Sequence, residues 1–241
     1  MKILVLSDFH AEFHRDFGLE AIEGLPPADT VILAGDVGVY SKDSLKTALG
    51  AFSAKYANVV YVCGNHEFYG SETKYADQKI DELCLSLGNV HRLNHSSVTI
   101  DGQRFLGGTL WFPEPQHRDM YLRSHMNDFR IIRNFEPWVY DQHNSDVRHI
   151  SHHASKNDIV VTHMIPSVDL ITKKWQGSPL NIFFAAQMPE EVLKMPKLWV
   201  FGHTHDSIDV MRGSTRFLCN PYGYSGMQEN PTFKKDLVIE V

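Results

Sequence analysis

The sequence is short of cysteine, of long apolar runs and of clustered basic residues, and each shortage removes a class of protein. Three cysteines, Cys63, Cys84 and Cys219, stand among 241 residues. They form no CxxC pair, and so odd and sparse a set is no disulfide framework. No apolar run approaches the roughly 18 residues that a membrane span needs. Met1-Lys2 leads straight into a short apolar run ending at Ser7-Asp8, too brief for a signal peptide, so a cytoplasmic location without membrane contact is expected. Lys and Arg number 23 against 29 Asp and Glu, for a net charge of −6, and the only basic doublets are Lys173-Lys174 and Lys234-Lys235. That charge pattern disfavours nucleic acid as a partner without excluding a local basic patch.

What remains is an ordinary globular composition, 43% hydrophobic and 22% charged, which argues against disorder, collagen-like repetition and coiled coil. Histidine is the outlier, with 14 copies, and it points to metal or acid/base chemistry. The length is a prior of roughly 1.6 domains. No repeat, linker or low-complexity tract divides the chain, so residues 1–241 read as one domain.

Short apolar runs recur, and each stops at a turn signal. Ile3–Leu6 stops at Ser7-Asp8, Thr30–Ala34 at Gly35-Asp36, Val59–Cys63 at Gly64-Asn65, Ile159–Thr162 at His163, and Leu198–Phe201 at Gly202-His203. Continuous apolar runs of this length suit strands buried on both faces, although periodicity alone does not separate them from buried helix. Leu45, Leu49, Phe52 and Tyr56 make a helical stripe with Ser41 as its expected cap, and Ile80, Leu83, Cys84 and Leu87 make a second after Ser71. Asp101-Gly102 and Arg212-Gly213 each lie between strand-like segments and predict hairpins. The tail Asp236–Val241 alternates like a final strand. Strands with helical crossovers beside hairpins imply a mixed sheet, or two sheets packed face to face, covered by helices. Residues 111–156 have little apolar period and many polar residues, which predicts a helical insert beside the site; a short helix after Asn144 would carry His149, His152 and His153 on a solvated face.

The strand ends carry Asp8-Phe9-His10, Gly35-Asp36, Gly64-Asn65-His66-Glu67, Thr162-His163 and Gly202-His203-Thr204-His205. In open α/β sheets, the loops at the carboxyl edge converge on one crevice where ligands bind. Asp8, His10, Asp36, Asn65, His163, His203 and His205 offer oxygen and nitrogen donors with no thiolate, a set suited to Mn, Fe, Zn or Ni. Seven donors exceed one tetrahedral ion but fit two divalent ions sharing a bridging carboxylate. Two such cations against two aspartates leave a positive cavity that favours an anion such as phosphate.

These blocks, in this order, resemble the calcineurin-like metallophosphoesterase superfamily, whose motifs run DxH, GD, GNH[DE], H and GHxH. The resemblance spans residues 8 to 205 and implies a four-layer α/β/β/α sandwich of two mixed sheets flanked by helices. It also implies site roles. Asp8, His10 and His205 hold one metal, Asn65, His163 and His203 the second, and Asp36 bridges them. His66, not needed as a ligand, becomes the catalytic residue that protonates the leaving oxygen or stabilises the transition state. The implied activity is phosphoester hydrolysis of a small monoester or diester, with nucleotides among the candidates, by in-line attack of a hydroxide shared between the ions. The alternatives are a nuclease of the same superfamily and a non-catalytic scaffold of the same fold. Oligomeric state is left open.

Two further segments are candidates for substrate binding. Arg130, in Met126–Arg130, is either a bidentate phosphate clamp or a helix-surface arginine. Asn220-Pro-Tyr-Gly-Tyr224 reads as a turn after a strand; it is also similar to an Asn-Pro-x-Gly-Tyr segment in a bacterial and phage-type branch of the superfamily, which implies that Asn220 and Tyr224 line the pocket. One departure matters. Protein Ser/Thr phosphatases of the superfamily continue the second block as GDxVDRG, whereas here it runs Gly35-Asp36-Val37-Gly38-Val39-Tyr40, without the arginine. A phosphoprotein substrate is therefore not expected.

Overall fold

In a computed structural model that describes residues 1–117, 119–227 and 229–241, the apolar runs become strands whose alternate side chains serve two different layers. Strands β1 (Lys2–Leu6), β2 (Thr30–Ala34), β3 (Asn58–Val62) and β4 (Val90–Arg92) run parallel, and β11 (Val238–Glu240) pairs antiparallel with β1. The second sheet has six strands. β5 (Ser96–Ile100) and β6 (Gln103–Gly107) form the hairpin predicted at Asp101-Gly102, both of whose turn residues have positive φ. β7 (Ile159–Val161), β8 (Leu198–Phe201) and β10 (Thr215–Cys219) continue parallel to β6, and β9 (Ile208–Arg212) closes the edge as the second predicted hairpin with β10.

The two sheets face each other. Ile3, Val5, Ile32, Val60 and Val62 of the first sheet bury one common cluster with Phe105, Ile159, Val161, Val200 and Leu218 of the second. The intervening residues, Leu4, Leu6, Val31, Leu33 and Tyr61, point the other way and pack under helices α1 (Leu19–Glu23), α2 (Ser44–Lys55) and α3 (Thr73–Leu87). On the far side, Leu106, Val160, Trp199 and Phe217 pack with α6 (Trp138–His153) and α7 (Glu190–Leu193). The result is the four-layer α/β/β/α sandwich with two mixed sheets. Strands covered on both faces must be apolar at every position, which explains the unbroken runs in the sequence.

Three local expectations need correction. Asp43, not Ser41, precedes α2; Ser41 lies in a 3-10 turn and its hydroxyl donates to the Tyr69 carbonyl at 2.9 Å. The 111–156 segment contains α4 (Met120–Ser124), α5 (Asp128–Ile131) and α6, and α6 starts six residues before Asn144. The same segment is more apolar in effect than its periodicity suggests. Trp111, Phe112, Phe135 and Trp138 are buried in the layer beside the first sheet. Edge-on ring contacts join Trp111 to Phe135 at 5.2 Å and Phe112 to Phe183 at 5.1 Å. These rings are spread over loops and short helices, so no 3.6-residue period reveals them.

Candidate metal centre

Because β1, β2, β3, β7 and β8 share one direction within each sheet, their carboxyl ends meet along one rim. Backbone bonds tie the loops there. The Asp8 amide donates to Gly35 O at 3.0 Å, the His10 amide to Asp36 O at 2.8 Å, and the Gly202 amide to His163 O at 3.0 Å. The two sheets are joined by side chains: His163 Nδ1 meets Ala34 O at 2.9 Å, and the His203 amide donates to both Asp8 carboxylate oxygens, at 3.0 and 3.1 Å.

This crowding has a backbone cost. Asp8, His10, Asp36, His203 and His205 all have φ between 49° and 67°, a left-handed region that non-glycine residues rarely occupy. Five such residues on one rim are held there by the surrounding fold, the pattern expected of a functional site. Two glycines are steric requirements. A Cβ on Gly35, itself at φ +85°, would stand 2.3 Å from His163 Nδ1, and one on Gly64 would stand 2.2 Å from Asp36 Oδ1.

Seven predicted donors converge. Asp36 Oδ1 accepts the His66 amide at 2.8 Å, which leaves Oδ2 facing His10 Nε2 at 3.7 Å and His163 Nε2 at 3.5 Å. On one side of that oxygen, His205 Nε2 lies 3.3 Å from Asp8 Oδ1 and 3.1 Å from His10 Nε2. On the other side, Asn65 Oδ1 lies 3.3 Å from His163 Nε2, and His203 groups with Asp36 and His163. Ligands about 2.0–2.2 Å from an ion define polyhedron edges of about 3.0–3.5 Å, and the donor spacings of 3.1–3.5 Å match such edges.

Three details test the fit to cations. His203 Nε2 is buried without a partner. Burial and the nearby His163 hold its pKa down at about 3, so the ring is neutral and keeps a lone pair. Two imidazole Nε2 atoms, of His10 and His205, face each other. Burial opposes charge on both His163 and His205, yet Asp36 raises the first to about 9, and Asp8 with Glu229 raises the second to about 10. The carboxylates thus favour positive charge beside these nitrogens. The donor set fits divalent ions.

The chain matches the model of the calcineurin-like phosphoesterase family over residues 1–207. It belongs to that family. Its fold is similar to that of phosphopantetheinyl hydrolase from Mycobacterium tuberculosis, at 16% identity and a TM-score of 0.72 over 92% of this chain and 89% of that one. It is also similar to TT1561 of Thermus thermophilus, at 13% identity and a TM-score of 0.53 over 91% and 88% of the two chains. Uncharacterized protein L509 of Acanthamoeba polyphaga mimivirus is 25% identical over 263 residues, covering 95% of this chain and 94% of the relative. As a calcineurin-like phosphoesterase, this protein is a metal-dependent hydrolase of phosphoester bonds. Among the described residues, no helix is long and apolar enough to cross a membrane.

Within this phosphoesterase, His66 faces the cavity beside Asp36, and its Nδ1 meets Glu12 Oε1 at 2.7 Å. Burial disfavours a charged His66 ring, but Asp36 and Glu12 outweigh it and raise the pKa above the ordinary histidine value. Glu12 was not among the sequence candidates; its only signal is the spacing Asp8-x-His10-x-Glu12. Glu229 has no sequence motif to mark it. It accepts from His205 Nδ1 at 2.7 Å and so fixes which ring nitrogen faces Asp8. Glu67 had no assigned role: it accepts the amides of Asp36, Val37 and Gly64 at 2.7–3.1 Å, clamping the β2 and β3 ends together.

The substrate-binding candidates divide. Tyr224 lies in the cavity wall, its ring 4.6 Å from that of His10. Asn220 does not reach the cavity: its buried amide donates to the carbonyls of Val5 and Lys234 at 2.9 Å each and accepts the Lys234 amide, holding the tail against β1. Arg130 is exposed, bonds Asn127 and is not among the cavity residues. Its segment does meet the site through Asp128, which accepts from Asn65 Nδ2 at 3.0 Å and Tyr69 OH at 2.8 Å. That grip turns Asn65 Oδ1 toward His163.

Proposed function

We propose that the protein hydrolyses small phosphomonoesters or phosphodiesters with two divalent ions. In this reading Asp8, His10 and His205 hold one ion, Asn65, His163 and His203 hold the other, and Asp36 serves both. The observation that carries it is the single oxygen, Asp36 Oδ2, between His10 Nε2 and His163 Nε2. Manganese, iron, zinc and nickel all suit these donors.

When bound, such ions supply a Lewis acid for the phosphoryl oxygens and a nucleophile at neutral pH. The chain's own groups do the rest. His66, with Nδ1–H donated to Glu12, presents Nε2–H toward the cavity, where it donates its proton to the departing ester oxygen or neutralises charge there. Glu12 keeps that ring oriented and favours its charged form. Glu229, Asp128 and the Ala34 carbonyl fix His205, Asn65 and His163 in place, so the donors need not reorganise during reaction.

Hydrolysis of p-nitrophenyl phosphate and bis(p-nitrophenyl) phosphate with added Mn²⁺ tests this reading. Turnover is expected, with loss in Asp36→Ala and His163→Ala; metal-replete protein inert on both esters would refute it. Single- and double-stranded DNA and RNA are expected to survive the same incubation.

A further inference from the structure

The metal rim supplies only part of the lining of a cavity of about 720 Å³. This is several times the room a phosphoryl group needs, and it lies within the range of about 300–1,000 Å³ typical of small-molecule sites. The rest of the lining mixes polar side chains such as Lys42, Asn127, Ser178 and Asn181 with a set of apolar ones. Phe13 follows β1, Ile131 ends α5, Trp175 and Leu180 come from the stretch between β7 and β8, and Met227 follows β10. Four of these should avoid water yet remain open to it: Phe13 is 46% exposed, Ile131 37%, Trp175 47% and Met227 67%. Four such residues from four separate chain segments, gathered on one cavity, form a patch that marks a binding surface rather than scattered surface apolarity.

Charge narrows the occupant. Among the described lining residues, Lys42 and His125 are the only basic side chains beyond His66, His203 and His205. His125 Nδ1 is already engaged by the Tyr121 carbonyl. The lining acids are spoken for: Asp36 accepts the His66 amide and faces His10 and His163, Glu12 binds His66, Asp128 binds Asn65, and Glu229 binds His205. Lys174 lies over the Trp175 ring, 4.7 Å from its centroid, but is not in the lining. A chain of further phosphates would meet little neutralising charge along this wall, whereas an uncharged group would lose apolar surface to it.

Resting on the phosphoesterase reading above, we propose that the wall formed by Phe13, Ile131, Trp175, Leu180 and Met227 selects phosphoesters that carry an uncharged, apolar group, either a flexible alkyl chain or a flat aromatic system. Nucleoside polyphosphates are outside that class.

The test uses 4-nitrophenyl phosphodiesters whose second alcohol is methyl, butyl, octyl, 2-naphthylmethyl or thymidine-5′, each below its micellar concentration with the Mn²⁺-loaded chain. kcat/KM should rise from methyl to octyl by up to about fourfold per methylene, mainly through KM, and the thymidine ester should do no better than methyl. Octyl and naphthylmethyl arms separate a chain-shaped from a ring-shaped occupant. Trp175→Ala should lower the octyl-to-methyl ratio at least about fivefold. Turnover that is flat across chain length and no better with the naphthylmethyl ester than with the methyl ester, or a preference for the thymidine ester, would overturn the proposal while leaving the phosphoesterase reading intact. If none of these diesters is turned over, the phosphoesterase reading fails only where p-nitrophenyl phosphate is inert as well, and calorimetry on the metal-stripped chain decides the wall alone. Octan-1-ol binding at least about tenfold tighter than butan-1-ol, with the difference reduced in Trp175→Ala, supports the wall; equal affinities overturn it.

Discussion

The metal donors and the apolar side chains that line the cavity stand on different kinds of chain. The donors stand within a few residues of a buried strand end, and five sit in left-handed backbone held by bonds that cross between the sheets. The apolar wall stands on short helices, turns and loops, and four of its members, Phe13, Ile131, Trp175 and Met227, remain exposed. The difference teaches a division of labour. Chemistry that tolerates little displacement is fixed on the scaffold, and recognition is carried by segments that can change without disturbing it.

Substitutions ordered by expected effect sharpen that contrast. Asp36→Asn, at the shared oxygen, should lower kcat/KM by at least about 10³-fold on p-nitrophenyl esters, with bound metal per chain falling in parallel. Stripping metal with a chelator should produce the same loss, reversed by Mn²⁺. Next comes Glu12→Gln, which keeps the shape but removes the charge that orients His66. It should lower kcat by about 10–100-fold while metal content stays near wild type and KM changes little; a rise in KM with kcat unchanged would remove Glu12 from its positioning role. On the wall, Trp175→Ala should raise KM for the octyl ester by about tenfold, more than it changes kcat.

The smallest effect on activity is expected far from the rim. Buried Asp146 accepts from the Leu110 amide at 2.8 Å and pairs with His95 Nδ1 at 2.7 Å. Asp146→Asn should cost about 1–3 kcal/mol of stability, seen as a lower thermal midpoint, with little change in activity per folded molecule. Its pH dependence has a defined sign. Burial opposes a charged His95, but the bond to Asp146 outweighs it and raises the pKa above 6.5. The stability this pair adds is therefore full below the ordinary histidine value and is lost as pH rises through the raised one. The wild-type advantage over Asp146→Asn should be larger at about pH 6 than at about pH 9.

Legibility in the sequence followed the same division. Strands buried on both faces need unbroken apolar runs, and the donors had to follow them, so β1, β2, β3, β7 and β8 and the residues beyond them could be read directly. Side chains that act through other side chains left almost no trace. Glu12 is one carboxylate in a 3-10 turn, Glu229 lies 24 residues beyond His205, and Asp128 reaches Asn65 from 63 residues away; only the fold brings them together. Arg130 drew attention as a charge near the right place, but its neighbour Asp128 faces the site. Asn220 belongs to a motif-like segment whose polarity serves the backbone of the tail instead of a ligand. The wall was least visible, because Phe13, Ile131, Trp175, Leu180 and Met227 lie in short helices, turns and loops of separate segments, where neither a helical nor a strand period marks a common face.

The most direct test is a crystal of the wild-type chain grown with Mn²⁺ and measured at a wavelength where manganese scatters anomalously. Two peaks about 3.5–4 Å apart are expected, one among Asp8, His10 and His205 and one among Asn65, His163 and His203, with Asp36 touching both. A single peak, or peaks away from Asp36 in protein that hydrolyses phosphoesters, would contradict the account.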